Sequence, residues 1–199
     1  VSNLVRNYYV VTAKDYTENE SGYSIEVSAE ATAPPNSVLV MDDFNDGAKP
    51  NNLGGGSGVF QNNATCSDSI YNASSDNVYG REGYSLKLNY NVTNPDSYSG
   101  YWAALNGISL SSYYYVSLWV KGEVGGEIFK VELKNNSASR NKAYVYLTDY
   151  LATGVTTDWQ KVLIPLHAFA NLADWTNMKE LDITFENSAN ELRPSGTVY

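Results

Sequence analysis

The sequence contains few of the residues that most enzymes and metal proteins use for their chemistry. Among 199 residues there is one cysteine, Cys66, and one histidine, His167. A lone cysteine forms neither an intrachain disulfide nor a cysteine-based metal cluster. A nucleophilic triad, like most zinc sites, needs histidine together with other groups. The sequence therefore argues against nucleophilic catalysis and against a thiolate or histidine metal centre.

Basic residues and long apolar runs are scarce as well. Lys and Arg number 13 against 22 Asp and Glu, so the net charge is -9. Binding to nucleic acid or to an anionic membrane surface needs clustered basic residues, and the sequence has no such cluster. It has no apolar run of about 18 residues, so we predict no membrane span. Only 18% of the residues are charged while Tyr alone numbers 17, a composition typical of a β protein that is secreted or displayed at the cell surface. No signal peptide opens the chain, so we expect a piece of a longer exported protein whose signal lies elsewhere.

Alternating apolar residues are the most prominent pattern that is present. One example is the run 128–134, where Phe129, Val131 and Leu133 alternate with charged residues. A period of two means that one face of a strand is buried and the other is not. The runs of this kind are 85–92, 101–105, 115–121, 128–134, 143–150, 159–166 and 180–185. Seven short runs without a long helical pattern predict an all-β fold, an antiparallel β-sandwich.

The N-terminal residues 1–33 have a pattern of their own. Two predicted strands, 9–13 and 23–31, flank a polar turn. This pattern resembles the last two strands of a fibronectin type III domain, a resemblance that gives Tyr9 the role of the tyrosine corner. Two strands alone are marginally stable in water, so the hairpin must find further packing partners. Residues 34–37, with two prolines, are predicted to be a linker.

Residues 38–199 are predicted to form the main domain. It begins with a predicted strand at 38–41, and residues 61–77 lack periodicity and are predicted to be a long polar loop. The glycine cluster at 54–58 superficially suggests a phosphate loop. No helix or lysine follows that cluster, so a tight bend or close backbone packing is the favoured interpretation.

Several motifs in this domain occur in a characteristic order. They are D-D-F-x-D-G at 42–47, N-x-L-G-G-x-x-G-x-F at 51–60, G-x-S-L-x-L-x-Y at 83–90, Y-x-G-Y-W at 98–102, S-L-W-V-K-G at 117–122 and T-x-W-Q-K-V-x-I-P-L at 157–166. Together they resemble a non-catalytic carbohydrate-binding module. They are similar to the family 11 modules and to the wider galactose-binding-like jelly rolls attached to secreted glycoside hydrolases. The resemblance implies a jelly roll over 38–199 that binds polysaccharide, such as a β-glucan or another plant or microbial glycan.

Aromatic residues on the outward alternation are the candidates for sugar contact. Sugars present apolar CH faces and hydroxyl edges, so a sugar site needs aromatic platforms beside polar side chains. The candidate carbohydrate-binding residues are Tyr98, Tyr101, Trp102, Tyr144, Tyr146, Asp149 and Tyr150. Because Tyr101 and Trp102 are adjacent on one strand, only one of them is expected to point outward.

Carboxylates suggest two further possibilities, a structural calcium site and catalysis. The resemblance implies calcium near the end of the first strand, where Asp43 and Asp46 are candidate ligands; Asp42, Asn45 and Glu82 supply further oxygens. The alternative is that Asp43 and Asp46 cap a turn.

Catalysis by paired carboxylates is the other possibility. The carboxylates on or near strands are Asp149, Asp158, Asp182 and Glu186. No acid-rich motif is present, so we expect no enzyme.

A structural role is the alternative function. In the family that the domain resembles, the run S-G-T-V-Y at 195–199 usually continues into an acidic pair, whereas Tyr199 is the last residue of this sequence. A last strand completed by another chain, together with the partial hairpin at 1–33, would suit a subunit of an extracellular filament or surface layer. The expected partners are therefore polysaccharide, other modules of the parent chain and, in the alternative, further copies that pair through strand edges.

Overall fold

The computed structural model describes most of the chain. The described residues are 6–9, 12, 19–22, 24, 27–30, 38–73, 83–190 and 192–199. Contacts divide the chain into two compact units, Val1–Val38 and Leu39–Tyr199.

The first unit contains two short strands. Strand β1 (Arg6–Tyr9) pairs antiparallel with β2 (Val27–Glu30), with Tyr9 opposite Val27. The Tyr9 side chain lies outside the described residues, so the proposed tyrosine corner and the fibronectin type III resemblance stay predictions.

The second unit is all-β, as the alternating runs predict. Its strands are β3 (Ser57–Asn62), β4 (Thr65–Asn72), β5 (Tyr84–Asn91), β6 (Tyr98–Ile108), β7 (Tyr115–Val120), β8 (Lys130–Asn135), β9 (Lys142–Tyr146), β10 (Gln160–Pro165), β11 (Met178–Glu186) and β12 (Ser195–Val198). Short 3-10 helices occupy Leu147–Tyr150, Leu166–Ala168 and Asn187–Ala189. None of the helices in the described part of the chain is long and apolar enough to cross a membrane.

One layer of the sandwich is a five-stranded antiparallel sheet in the order β3-β6-β11-β8-β9. Strand β11 lies at its centre, where Asp182 is opposite Trp102 of β6 on one side and opposite Glu132 of β8 on the other. Residues that are directly opposite point to the same face of a sheet. The register therefore assigns the paired residues of this sheet either to the core or to the outer face, apart from an irregularity between Met178 and Glu180.

The other layer combines two smaller sheets, β12-β5-β4 and β10-β7. They meet where the backbone N–H groups of Lys121 and Tyr199 each donate to the carbonyl of the other, at 3.1 and 2.9 Å, beside a bridge between Gly122 and Val198. The last residues of the sequence are thus hydrogen-bonded within the chain, to β5 on one side and to the segment after β7 on the other.

The core lies between the two layers. Phe185 is fully buried on the inner side of β11, where its ring stacks on Tyr90 of β5 with centroids 3.9 Å apart and meets Phe129 at 5.4 Å. Val131 and Leu133 of β8 are buried beside them. Because each such side chain contributes about 1.5–3 kcal/mol when removed from water, this core holds the layers together and fixes which alternation faces outward.

Two predictions about strands are wrong. Residues 38–41 form no strand, although their alternation is real: Leu39 and Met41 pack against the core, while Val38 and Val40 are exposed. The segment lies against the sandwich without pairing as a ladder strand.

The predicted loop at 61–77 contains strand β4 instead, which pairs along its whole length with β5. As an edge strand, β4 needs few apolar residues. Its partly buried set includes Cys66, Asp68 and Ile70, and its other positions are mostly Ser, Thr and Asn. A sequence so poor in large apolar residues carries too little periodicity to reveal a strand.

Candidate functional site

The outer face of the five-stranded sheet brings together aromatic and charged side chains from all five strands. One row across the sheet consists of Gly58, Trp102, Asp182, Glu132 and Tyr144. The next row consists of Phe60, Gly100, Thr184, Lys130 and Tyr146. We call this surface the outer face of the large sheet.

Trp102 forms one flank of this face, and the glycine cluster makes room for its ring. A Cβ on Gly58 would lie 3.3 Å from the indole Nε1, and a Cβ on Gly56 would lie 3.6 Å from Cη2. The indole therefore rests against backbone that has no side chains. This is the close packing that the glycine-rich run predicted, and it holds the ring as a half-buried platform on the sheet.

Phe60 and Tyr98 extend the same flank. A Cβ on Gly100 would lie 2.6 Å from Phe60 Cζ, so the ring of Phe60 occupies space that only glycine leaves open. The ring of Tyr98 lies 6.4 Å from that of Phe60, centroid to centroid, and Tyr98 is 43% exposed. Three aromatic side chains thus line the β3-β6 side of the face.

Tyr144 and Tyr146 of β9 form the opposite flank. Their rings meet edge to face at 5.9 Å, and Tyr144 is 49% exposed. Strands in a sheet are about 4.8 Å apart, so β9 lies about 14 Å from β6 across three strand spacings. The two aromatic flanks therefore face the same side of the sheet at a separation that suits a chain of sugars better than a single ring.

Lys130 fixes the orientation of the tyrosine flank. Its Nζ lies 4.1 Å from the Tyr144 ring centroid and 5.4 Å from that of Tyr146, and it forms an ion pair with Glu186 at 2.5 Å. Burial lowers the pKa of Lys130, but the hydrogen bond and charge of Glu186 outweigh burial and raise the pKa above its usual value. Lys130 therefore stays cationic, and a cation over a ring face is attractive.

A second ion-pair cluster occupies the middle of the face. Lys134 pairs with Glu180 at 2.6 Å, with Asp182, and with Glu132 at 3.5 Å. Burial lowers the pKa of Lys134, but Asp182 and Glu180 outweigh it and raise the pKa well above its usual range.

Asp182 is the least accessible member of this cluster. Although it belongs to the outer face, it is only 1% exposed, and its Oδ1 has no hydrogen-bond partner among the described residues. Burial raises the pKa of Asp182 to about 6, in opposition to Lys134, which lowers it. The middle of the face is thus a polar patch of several charges held in fixed positions.

The structure brings four of the seven candidate sugar-binding residues together on this face. Tyr98 and Trp102 lie on one flank, and Tyr144 and Tyr146 lie on the other. Tyr101 is a correction: it is 3% exposed and belongs to the core, where burial raises its pKa to about 12, so Trp102 is the residue of that pair that faces outward.

Asp149 and Tyr150 lie outside the cross-strand rows. They belong to the 3-10 helix that follows β9, where Asp149 is exposed and Tyr150 packs against the core. Alternation alone missed Phe60, Lys130 and Lys134 as members of the site. The signal was present, because alternation places Lys130 and Lys134 outward, but only the strand order shows which aromatic residues they join.

The acidic loop before β3 has the geometry of capped turns. The backbone N–H of Asn45 donates to Asp43 Oδ1 at 3.2 Å and lowers the pKa of Asp43, and that of Ala48 donates to Asp46 Oδ1 at 2.9 Å. No group of three acidic, histidine or cysteine side chains suited to a metal ion occurs among the described residues, which do not include Glu82. The side chains of Asp43 and Asp46 thus cap turns in this loop, and calcium stays a prediction.

A β-sandwich whose outer sheet face carries aromatic platforms around a polar centre has the features that sugar binding needs, as in a carbohydrate-binding module. Sequence comparison is specific about the family. The family model described as Carbohydrate binding domain 30 matches residues 43–199, and the chain belongs to this family. No curated protein matches the chain.

Solved structures confirm the fold. The family 11 carbohydrate-binding module of the cellulosomal cellulase Lic26A-Cel5E of Clostridium thermocellum has a TM-score of 0.58 at 16% identity, over 80% of this chain and 88% of that chain. A family 30 carbohydrate-binding module has a TM-score of 0.52 at 23% identity, over 71% of this chain and 86% of that chain. A family 11 module from Clostridium thermocellum in complex with a β-1,3-1,4-mixed-linked tetrasaccharide has a TM-score of 0.54 at 16% identity, over 71% of this chain and 83% of that chain.

Proposed function

We propose that the outer face of the large sheet binds a linear β-glucan-type polysaccharide and does not cleave it. The observation that carries this proposal is the pairing of two aromatic flanks, Trp102 with Tyr98 and Tyr144 with Tyr146, on one face about 14 Å apart. The similarity to a family 11 module in complex with a mixed-linked tetrasaccharide supports this class of ligand.

Binding follows from the chemistry of the two flanks. The CH face of a sugar ring loses water when it stacks on Trp102 or Tyr144, and each contact gains from the apolar area removed from water. Between the flanks, the hydroxyl groups of the polysaccharide meet the ion-paired carboxylates and ammonium groups around Lys134. Because Lys130 and Lys134 hold these groups in place before the ligand arrives, little ordering cost remains on binding.

The same ion pairs argue for binding without hydrolysis. Glycoside hydrolysis needs one carboxyl group as an acid and a second as a base or nucleophile across the scissile bond. On this face the carboxylates of Glu132, Glu180 and Asp182 converge on a single ammonium group. Incubation with β-glucan should therefore release no new reducing ends.

The module's setting is part of the proposal. We infer that it belongs to a secreted multidomain protein and holds that protein close to its polysaccharide. The similarity to a module of a cellulosomal cellulase supports this setting.

Affinity electrophoresis through gels that contain mixed-linkage β-glucan tests the proposal with Trp102→Ala. We expect retardation by the polysaccharide to fall at least about tenfold, because the main stacking platform is lost. Tyr114→Ala is the matched control, since Tyr114 is 60% exposed and precedes β7 in the other layer. If Trp102→Ala migrates like the unmodified protein in these gels, the outer face of the large sheet is not the binding site.

A further inference from the structure

The opposite side of the sandwich carries a second ordered array of rings and charges. It forms a row across the other layer in the order Trp159, Lys121, Tyr199 and Lys87. Lys121 is hydrogen-bonded through its backbone to Tyr199. Val198 of β12 is opposite Leu88 of β5, so the next residue, Tyr199, lies beside Lys87. Trp159 directly precedes Gln160, which is opposite Val120, so Trp159 lies beside Lys121. We call these residues the lysine-aromatic row.

Lysine and aromatic side chains alternate along this row and contact one another. Lys121 Nζ lies 5.5 Å from the Trp159 ring and 5.1 Å from the Tyr199 ring, and Lys87 Nζ lies 5.5 Å from the Tyr199 ring. Tyr71 packs on Tyr199 at 4.6 Å and is also within 5.5 Å of Lys121. All these side chains are half-buried, so the rings and ammonium groups are held in defined positions.

The charge of this surface contrasts with the rest of the molecule. Across the described strands β4, β5, β7, β10 and β12, the side chains on the outward alternation include Lys87 and Lys161 and no carboxylate. Just beyond these strands, the exposed Glu123 shares the alternation of Lys121, since its backbone N–H donates to the carbonyl of Thr197, and the exposed Asp158 directly precedes Trp159. The chain as a whole has a net charge of -9. Lys161, which is exposed and opposite Trp119, extends the positive charge to the β10 edge of the layer. Lys87, Lys121 and Lys161 thus attract anions locally, although the protein as a whole is acidic.

We propose that the lysine-aromatic row, with Lys161, is a second glycan-binding surface, which takes an acidic polysaccharide whose sugar rings carry carboxylates. The rings of Trp159 and Tyr199 match the CH faces of sugars, and the ammonium groups of Lys87, Lys121 and Lys161 match uronate carboxylates. From β10 to β5 the row spans about 14 Å over three strand spacings, enough for several sugar units. The proposal does not depend on the function of the outer face of the large sheet.

Calorimetric titration with polygalacturonate, a linear polyuronate, tests the proposal. We expect the double variant Lys87→Gln/Lys161→Gln to bind at least about tenfold more weakly, and we expect binding by the unmodified protein to weaken as sodium chloride is added. The matched control is Lys142→Gln/Lys179→Gln, which removes two lysines of the large sheet and should leave polygalacturonate affinity unchanged. Fully methyl-esterified polymer should bind weakly to every form.

Further variants separate this surface from the other face and from a purely structural role. Trp102→Ala should keep polygalacturonate affinity even if it loses β-glucan, and Lys87→Arg/Lys161→Arg, which keeps both charges, should retain binding. Urea unfolding of each variant shows that loss of affinity is not loss of fold. The proposal is overturned if the unmodified protein does not bind polygalacturonate, if Trp102→Ala abolishes that binding, or if the Lys87→Gln/Lys161→Gln variant binds as before.

Discussion

Asp182 shows how a single residue on the outer face acquires core-like properties. It lies on the central strand of the large sheet, yet Lys134 and its other neighbours leave it 1% exposed. Removing a carboxylate from water disfavours its charged form, and one ammonium group shared among three carboxylates only partly offsets that cost. The pKa of Asp182 therefore rises from the ordinary 3.8 to about 6.

This pKa predicts a pH dependence of stability. Between about pH 4 and pH 6 the folded protein holds a proton on Asp182 that the unfolded chain has released, so the free energy of unfolding falls as the pH rises through this window. A rise in the pKa of Asp182 from 3.8 to about 6 corresponds to on the order of 3 kcal/mol. We expect Asp182→Asn to remove this fall, as measured by urea unfolding from pH 4 to pH 8.

Asp158→Asn serves as the control for this measurement, because it removes an exposed carboxylate and keeps Asp182, so the fall should persist. A pH profile for Asp182→Asn that superimposes on that of the unmodified protein would show that Asp182 does not titrate with a raised pKa.

Gly58 has a steric role, because it leaves room for the Trp102 ring. Its substitution by Ala would place a Cβ 3.3 Å from Trp102 Nε1, closer than most such contacts, so the indole must tilt away from the sheet. We expect Gly58→Ala to weaken β-glucan binding severalfold, about 1 kcal/mol, with a change in the free energy of unfolding below about 0.5 kcal/mol.

Gly56→Ala is the matched control for Gly58→Ala. The added Cβ would lie 3.6 Å from the same ring, which is an ordinary contact, and binding should change less. Both variants would be titrated with the same β-glucan oligosaccharide by calorimetry. Equal affinities for the two variants would count against a steric role for Gly58.

At the scale of elements, strand β12 joins the parts of the second layer. It pairs with β5, and Tyr199 directly after it exchanges backbone hydrogen bonds with Lys121. The ring of Tyr199 packs on Tyr71 and beside two lysines. This single side chain therefore contacts three different strands or their extensions.

We expect Tyr199→Ala to lower the free energy of unfolding by about 2 kcal/mol, because these packing and cation-π contacts are lost together. Urea unfolding measures the change, with Tyr98→Ala as the control because Tyr98 is 43% exposed on the opposite layer. Equal destabilisation by the two substitutions would mean that the contacts of Tyr199 with the neighbouring strands have no special role in stability.

The elements differ in how far the sequence predicts them. Strands with a strong apolar alternation, such as β5 and β8, follow from the sequence, because burial of one face demands that pattern. The edge strand β4 does not, since Ser, Thr and Asn can occupy positions that face water or a thin part of the core. Adjacent residues such as Tyr101 and Trp102 also remain ambiguous until pairing across the sheet fixes which one faces the core.

The site was predictable only in part, for a related reason. Four of its five aromatic residues follow from composition and alternation, namely Tyr98, Trp102, Tyr144 and Tyr146, whereas Phe60 was missed. The Lys130 and Lys134 clusters depend on which strands are neighbours in the sheet. Strands β8 and β9 form a hairpin, but β11 joins β8 through pairings between residues far apart in the sequence, such as Asp182 and Glu132. Sequence spacing alone does not encode that order.

At the scale of the whole molecule, the two outward faces differ in charge. The outer face of the large sheet carries lysines and carboxylates in ion pairs. The outward alternation of the other layer has lysines in its described strands, with the carboxylates of Glu123 and Asp158 just beyond the strand ends. β-Glucan is neutral, so its binding should change less than about twofold between low and high salt. Calorimetry at two salt concentrations checks this, and a strong salt dependence would contradict contact dominated by ring stacking.

The central claim is that β-glucan binds to the outer face of the large sheet, and the indole N–H signals of the four tryptophans test it most directly. Trp102 lies on that face, Trp119 and Trp159 belong to the other layer, and Trp175 packs against the core. The measurement is a ¹H–¹⁵N NMR titration with a mixed-linkage β-glucan oligosaccharide, with each signal assigned by substitution. We predict that the Trp102 signal shifts to saturation while the other three stay in place. Shifts of Trp119 or Trp159 with a stationary Trp102 would contradict the account.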